Sequence, residues 1–499
     1  MDTIQRGAKN SLVLFVSNSS QAIFNFFFFI LLARYLGVDY FGAFSAAIAF
    51  TILCGLIPSL GLDTYLIKEI ACDKSLGKKY FGNIVTIRLF LLLFTIILFL
   101  FIVNLSGYSK RILEVNCILG TVIISRTLNQ TSYAIFKAHE KMEYFSFGMI
   151  LTSSLILFGA VIGVYLRFSI IGLAIMYASS HLITLVFNFL ITIWKFYKPI
   201  LSFNLSFWKL SIKEAFPFFL VDIFMLNFRN QATELIILSY LHDKMATGFY
   251  STVGKFLMAL LLIPTILNTT ILPIMSRFHR TSTKSLNQTF FIYLKIMIIL
   301  SIPIGFGITI LSSEMILILV GSDYLPSVIS LKIAIWAIVF LFLRSPFEMF
   351  FISTDRQATV AKVAGLCFTM NIILDFIFIY NYSFQGASFA ILISNISYLL
   401  IYVVLFGKFN FKILNRDIMT TFVKSVMVSC LMGIFVLFLK EITNNLNILN
   451  LSTIIFVSAL FYFLTLLIVK GFSSEDIKIL KHALKGLLRF NKNNRNKEQ

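Results

Sequence analysis

Long apolar stretches recur along almost the whole chain, separated by short polar breaks. A helix needs about 20 mostly apolar residues to cross the hydrocarbon core of a bilayer, and stretches of this length occur fourteen times. They lie at residues 12–33, 42–62, 84–104, 112–136, 145–166, 169–194, 214–240, 248–275, 290–312, 327–353, 359–380, 386–406, 421–440 and 450–470. The sequence therefore predicts an all-α polytopic membrane protein with 14 transmembrane helices.

Composition agrees with this class: 59% of the 499 residues are hydrophobic and 13% are charged. Soluble globular chains have about 45–50% and about 25%. The net charge of +20 is explained by Lys and Arg beside the apolar stretches, where they set topology. We therefore expect contact with membrane lipids and no nucleic-acid binding.

Lys and Arg fall unevenly on the two sides of the predicted helices. If the N-terminus is cytoplasmic, 27 lie in cytoplasmic connections and tail and 6 on the opposite side. Positively charged connections stay in the cytoplasm. The pattern predicts a multi-pass plasma-membrane protein with both termini inside. The five cysteines form no metal or redox motif, so no metal and no cofactor is expected.

The chain also repeats itself, which indicates duplication of a unit of about 200 residues. Two series recur in the same order, at shifts of 206 and 214 residues. Gly42, Ser45, Phe50, Ile57 and Pro58 return as Gly248, Ser251, Phe256, Ile263 and Pro264, and Gly172, Ser180 and Leu185 return as Gly386, Ser394 and Leu399. Six helices in each unit make the two repeats parallel.

The predicted organisation consists of two lobes and a C-terminal addition. It comprises an N-lobe at 1–195, a cytoplasmic linker at 196–213, a C-lobe at 214–406, two helices within 421–470 and a basic tail at 471–499.

Short motifs in both repeats resemble one transporter family. Residues 33–44 read ARYLGVDYFGAF, residues 247–256 read TGFYSTVGKF, and residues 321–324 read GSDY. This resembles the Wzx-type flippases, the polysaccharide branch of the multidrug/oligosaccharidyl-lipid/polysaccharide superfamily. The resemblance implies a V-shaped, MATE-like bundle that moves a polyprenyl- or dolichyl-(pyro)phosphate-linked oligosaccharide by alternating access. It also implies a monomer that works beside glycan polymerase or ligase machinery.

Charged residues deep inside predicted spans are the candidate site. Basic side chains could form a cavity for a pyrophosphate, because an anion leaving water needs fixed donors. The alternative is that Asp222 pairs with Arg229, or Arg344 with Glu348, only to hold helices together. The basic candidates are Arg126, Arg229, Lys255 and Arg344.

Further candidates are amides, acids and one arginine at a helix end. Asn25 and Asn230 correspond in the repeat and suit sugar hydroxyls, although helix packing explains them equally. Arg34 ends the first helix, where it contacts phosphate, pairs at an outer gate or lies at the interface. An intramembrane carboxylate can bind H⁺ or Na⁺, and either ion would serve for coupling. The carboxylates in question are Asp222, Glu234, Glu348 and Asp375.

Two other functions compete with the flippase. A MATE-type drug or metabolite exporter coupled to a cation needs a cavity dominated by carboxylates, whereas the deep charges here include prominent arginines. A membrane enzyme needs catalytic groups on substantial loops, and no connection exceeds about 22 residues. The sequence therefore predicts a transporter without catalytic residues.

Overall fold

The computed structural model describes residues 3–198, 202–230, 232–241, 244–408, 416–443 and 447–469, and within these ranges it is helical with no strand. An all-helical structure is expected, because a spanning segment in lipid must satisfy its own backbone hydrogen bonds. The helices are α1 Thr3–Cys54, α2 Leu56–Ser59, α3 Leu62–Cys72, α4 Gly77–Leu105, α5 Lys110–Ala138, α6 Met142–Tyr165, α7 Ile170–Lys195, α8 Leu205–Asn230, α9 Ala232–Leu241, α10 Lys244–Leu260, α11 Leu262–Thr281, α12 Thr283–Leu319, α13 Ser327–Ser353, α14 Gln357–Gly407, α15 Arg416–Ile442 and α16 Ile448–Ile468.

Eleven helical segments in the described part of the chain are long and apolar enough to cross a membrane. Two of them each cover two of the predicted spans, since α1 runs through a kink at Gly37 and α14 through one at Ser383. The predicted seventh span falls on α8 and α9, which are not among the eleven. The protein is an all-helical multi-pass membrane protein, and the number fourteen stays a prediction.

Helix boundaries differ most clearly from the prediction in two places. α8 begins at Leu205, well before the predicted start at 214, and contains Pro217. The predicted span 248–275 is divided at Leu261 between α10 and α11. The first difference arises because hydropathy marks where a stretch becomes apolar, whereas a helix also includes its polar turns. The second is a break inside an apolar sequence, which hydropathy does not mark.

The helices form two contact units. The first comprises residues 1–269, 319–334 and 361–394, and the second 270–318, 335–360 and 395–499. The lobes and linker predicted from the repeat stay a prediction, and residues 471–499 of the predicted tail lie outside the described part.

In the first unit, α1 packs tightly against α10 through small residues. A Cβ added at Gly42 would lie 1.9 Å from the Lys244 carbonyl oxygen, so only glycine permits this approach. Two turns of small residues continue the contact, and Ser251 Oγ donates a hydrogen bond to Ser45 Oγ at 2.8 Å. Close approach through small residues is a common way for membrane helices to associate. The hydrogen bond between Ser45 and Ser251 joins positions that the sequence relates at a shift of 206.

In the second unit, α15 and α16 pack on α12. The Tyr462 hydroxyl donates to the Ile299 carbonyl oxygen at 2.9 Å, and Lys440 Nζ lies 2.5 Å from Glu314 Oε1. Val428, Met432 and Leu466 complete a buried apolar cluster between these helices. The C-terminal helices are therefore an integral part of this unit.

Candidate functional site: a basic cavity in the first unit

A polar cavity of about 400 Å³ lies in the first unit, between α1, α5, α6, α7 and α10. Its lining combines basic side chains, amides and aromatic rings, and it contains no Asp or Glu among the residues that the structure describes. The basic side chains are Arg126 on α5, Lys137 at the end of α5 and Lys255 on α10. We call this space the basic cavity.

Aromatic rings hold two of the cations in the basic cavity. Lys255 Nζ lies 3.7 Å from the centre of the Phe29 ring, and Lys137 Nζ lies 4.3 Å from that of Phe145. A ring face attracts a cation electrostatically without neutralising its charge.

Amide groups supply the neutral polar part of the same wall. Gln21 and Asn25 on α1 and Gln130 on α5 line the space. Asn129 is buried beside them and accepts a hydrogen bond from Asn188 Nδ2 at 2.6 Å. Since an amide both donates and accepts, this surface suits sugar hydroxyl groups.

A second cavity of about 340 Å³ adjoins the basic cavity and shares Arg126, Gln130 and Lys137 with it. It differs in charge, because Asp63, Arg88 and Asp222 also line it. We call this space the mixed-charge cavity. Its wall includes the break between α1 and α3 around Gly55 and Ser59.

Two carboxylates are buried together in a third place. Glu234 on α9 and Asp375 on α14 are 0% exposed, and none of their carboxylate oxygens has a hydrogen-bond partner among the residues that the structure describes. Each interacts electrostatically with the other and with Tyr250 on α10, whose hydroxyl likewise bonds to no described residue. Two neighbouring buried carboxylates are costly unless a proton or a cation lies between them.

A family model described as "Polysaccharide biosynthesis protein" matches residues 8–279. This range includes every residue that lines either the basic cavity or the mixed-charge cavity. The chain belongs to this family. A curated relative, the capsular polysaccharide biosynthesis protein CapF of Staphylococcus aureus, is 24% identical over 419 residues, covering 80% of this chain and 99% of CapF.

Solved structures show the same fold at lower identity. The lipid II flippase MurJ in an inward closed conformation has a TM-score of 0.76 at 20% identity, over 92% of this chain and 99% of MurJ. An inward-facing multidrug resistance MATE transporter of the MOP superfamily has a TM-score of 0.61 at 14% identity, over 78% and 94%. This confirms the predicted MATE-like helical class.

The structure brings three of the predicted binding residues into one cavity of this family member. Arg126, Lys255 and Asn25 all line the basic cavity. The side chains of Arg229 and Asn230 lie outside the described residues, so their predicted roles stay predictions.

Two predicted basic residues lie elsewhere. Arg34 donates from Nε to the Leu319 carbonyl oxygen at 2.7 Å, at the C-terminal end of α12, where a cation is favourable. Arg344 belongs to the second unit, where it lies 3.8 Å from Glu348 and 4.1 Å from the centre of the Tyr398 ring. This is the local pair that the sequence offers as the alternative to anion binding.

The predicted acidic candidates also separate by position. Glu234 and Asp375 come together as a pair, whereas Asp222 lines the mixed-charge cavity and Glu348 accompanies Arg344. Among the four, the buried pair is the better candidate for ion coupling, because the other two face cations or a water-accessible space.

Several cavity residues are not found by the sequence reasoning. Arg88 and Lys137 lie near the ends of predicted spans, where a basic residue is ordinarily placed at the interface. His181 lines the basic cavity with its ring 5.0 Å from that of Tyr177, and its Nε2 makes no hydrogen bond to any residue that the structure describes. A lone histidine in an apolar helix is the only signal that could have marked it.

Proposed function

We propose that this chain is a flippase that moves a lipid-linked oligosaccharide across the membrane by alternating access. The lining of the basic cavity is the observation that carries the proposal. It has three basic side chains and no described carboxylate, which suits a (pyro)phosphate, and amides beside aromatic rings, which suit a sugar. The family, CapF and the MurJ-like fold support the same function.

Arg126 has the central position in this proposal because it lines both cavities. Its guanidinium can bind two phosphate oxygens at once, and Lys137 can add a second charge from the same shared wall. The amides of the basic cavity then receive the glycan, and the polyprenyl or dolichyl tail stays in the bilayer. The protein binds and releases its cargo, and no covalent step is part of the proposal.

Glu234 and Asp375 are the proposed site of ion coupling. An H⁺ or a Na⁺ bound between the two carboxylates would remove their mutual repulsion, so binding and release would change the energy of the surrounding helices. If this is right, Glu234→Gln and Asp375→Asn abolish the dependence of transport on the ion gradient. Glu114→Gln serves as the control because Glu114 is exposed and lines neither cavity.

The cellular setting follows from the function and from the charge pattern. We propose a plasma-membrane location with both termini in the cytoplasm, where the precursor glycan is made. The protein acts as a monomer beside the glycan polymerase or ligase that uses its product. The basic sequence at 471–499 would bind the anionic inner leaflet.

Leaflet accessibility of the lipid-linked glycan tests the proposed function. Purified protein in liposomes receives a labelled polyprenyl-diphosphate oligosaccharide, and a membrane-impermeant enzyme measures how much of it changes leaflet. We expect Arg126→Gln and Lys255→Gln to lower transport at least tenfold at equal insertion. The matched control is Lys78→Gln, because Lys78 is exposed and lines neither cavity.

The MATE-type exporter coupled to a cation is the second candidate, and the same liposomes test it. The likeness to MATE structures supports it only through the fold. Movement of a cationic dye, together with no movement of the glycan lipid, would replace the flippase by an exporter. In that case the buried carboxylates, and not the basic cavity, would bind the cargo.

A further inference from the structure

Arg88 is a fully buried arginine that forms an ion pair with a carboxylate on another helix. It lies on α4 and is 0% exposed. One terminal nitrogen, Nη2, is 2.6 Å from Asp63 Oδ1. The other, Nη1, donates to the Thr127 carbonyl oxygen at 3.1 Å and to the Thr131 hydroxyl. Its Nε is buried and has no hydrogen-bond partner in the described part of the chain.

The partner of this arginine, Asp63, lies at the start of α3, directly after an interruption of the helical structure. The helix of α1 ends at Cys54, a short α2 follows, and α3 begins only after Leu60 and Gly61. Both residues have positive φ, 41° for Leu60 and 70° for Gly61. A residue other than glycine at such an angle is strained, and such strain is common where a segment has a functional motion.

Asp63 and Arg88 both line the mixed-charge cavity, together with Arg126 and Lys137. The Asp63 side chain is 23% exposed, whereas that of Arg88 is fully buried. The Asp63 carboxylate is therefore in contact with the cavity while it is paired with the buried Arg88 guanidinium. An anion entering the cavity would meet the same cation and would repel Asp63.

We infer that Arg88 is a further anion-binding residue of the mixed-charge cavity, and that Asp63 is paired with it until a diphosphate arrives. The inference rests on the proposed flippase function and adds a residue and a sequence of events to it. Arg126 and Lys137 receive the diphosphate first, and the anion then displaces Asp63 from Arg88. Asp63 is the second residue of α3 and directly follows residues 55–61, where the helical structure is interrupted. Its release from Arg88 therefore frees this segment from α4.

The exchange satisfies the charges at each stage. Removing the carboxylate partner of a buried arginine is strongly unfavourable unless another anion replaces it. A diphosphate does replace it, and its oxygens also reach the buried guanidinium as a bidentate partner. The carboxylate that leaves is already in contact with the cavity, so it becomes hydrated and not buried alone.

Binding of farnesyl diphosphate to the full-length protein in detergent tests the inference. We expect Asp63→Asn to tighten binding about tenfold, because the competing carboxylate is gone, and Arg88→Gln to weaken it about tenfold. Asp73→Asn is the control, since Asp73 follows α3 directly, is exposed and bonds Ser75 outside the cavity. Inorganic pyrophosphate should show the same order of affinities if the anion itself is recognised.

A double variant separates binding from simple structural support. Asp63→Leu with Arg88→Met replaces the pair by apolar groups, a change that buried ion pairs often tolerate without loss of stability. If the pair only holds α3 to α4, this variant binds farnesyl diphosphate like the wild type, and the inference is overturned. If Arg88 receives the anion, the variant folds but binds as weakly as Arg88→Gln.

Hydrogen exchange of residues 56–72 supplies the readout of motion. Farnesyl diphosphate should raise exchange in this segment of the wild type and leave the double variant unchanged. An unchanged affinity in Asp63→Asn overturns the inference while the flippase proposal stands. Absence of any diphosphate binding by the wild type overturns both.

Discussion

Substituting Gly42 by alanine is expected to force α1 and α10 apart. A Cβ at this position would lie 1.9 Å from the Lys244 carbonyl oxygen and 2.7 Å from the Gly248 nitrogen. These are backbone atoms, so no side-chain rotation can relieve the overlap. Ordinary contact begins at about 3.4 Å. The two helices would therefore have to move apart by about 1.5 Å.

The energetic consequence follows from the neighbouring contact. Ser251 and Ser45 are 2.8 Å apart across the same pair of helices, so the shift would lengthen their hydrogen bond to about 4.3 Å and break it. Overpacking costs about 1–3 kcal/mol, and a hydrogen bond between membrane helices contributes about 0.6 kcal/mol. We expect Gly42→Ala to lower the free energy of unfolding by about 2–3 kcal/mol.

Reversible unfolding in mixed detergent and sodium dodecyl sulfate micelles measures this change. A loss of 2 kcal/mol raises the unfolding constant about thirtyfold. Gly248→Ala should cost less, because its Cβ would approach the Val38 carbonyl oxygen only to 2.4 Å. Gly159→Ala is the control, since the nearest atom would be Met176 Cε at 3.5 Å. Equal stability of Gly42→Ala and Gly159→Ala would refute the packing argument.

Three further predictions concern polar contacts away from the cavities. Burial and the nearby Lys74 charge hold the pKa of His139 below its usual value. The contribution of His139 to the free energy of unfolding is therefore complete above about pH 6.5. It decreases as the pH falls below this value, because the unfolded chain takes up the proton first. His139→Gln should remove that part of the pH dependence in thermal unfolding at pH 7.5 and 5.5. Tyr324→Phe removes a buried hydroxyl that donates to a carbonyl of α1 at 3.0 Å, and we expect a loss of about 1 kcal/mol in chemical unfolding. Lys440→Gln leaves the half-buried Glu314 without its 2.5 Å partner; the melting temperature should fall, and adding Glu314→Gln should restore part of it.

The helical membrane class could be predicted because lipid imposes one requirement along the whole chain. Apolar length and the need for internal hydrogen bonds leave few alternatives to spanning helices. The kinks at Gly37 and Ser383 fall in the predicted gaps between spans, whereas the break at Leu261 lies inside the predicted span 248–275. That break could not be predicted in the same way, because the sequence around it stays apolar and hydropathy contains no information on backbone angles.

The candidate site could be predicted in part, and the successful part has a physical reason. Arg126 and Lys255 lie well inside apolar stretches, where a cation is expensive unless it faces protein or water. Depth along the helix therefore marks both residues, although it marks Arg344 equally, and Arg344 pairs with Glu348. Lys137 sits at a helix end, where the interface explains a basic residue equally well, and only the packing of α5 against α6 shows that it lines the cavity.

Pairing of charges shows most clearly what the sequence leaves undetermined. Arg344 and Glu348 are four residues apart on one helix, so the sequence alone offers them as a pair. Asp63 and Arg88 are 25 residues apart on different helices, and no local rule joins them. The carboxylate partner of Arg344 lies on the same helix. The partner of Arg88 lies on α3, just after the residues with positive φ. That difference makes the second pair the one that an entering anion can open.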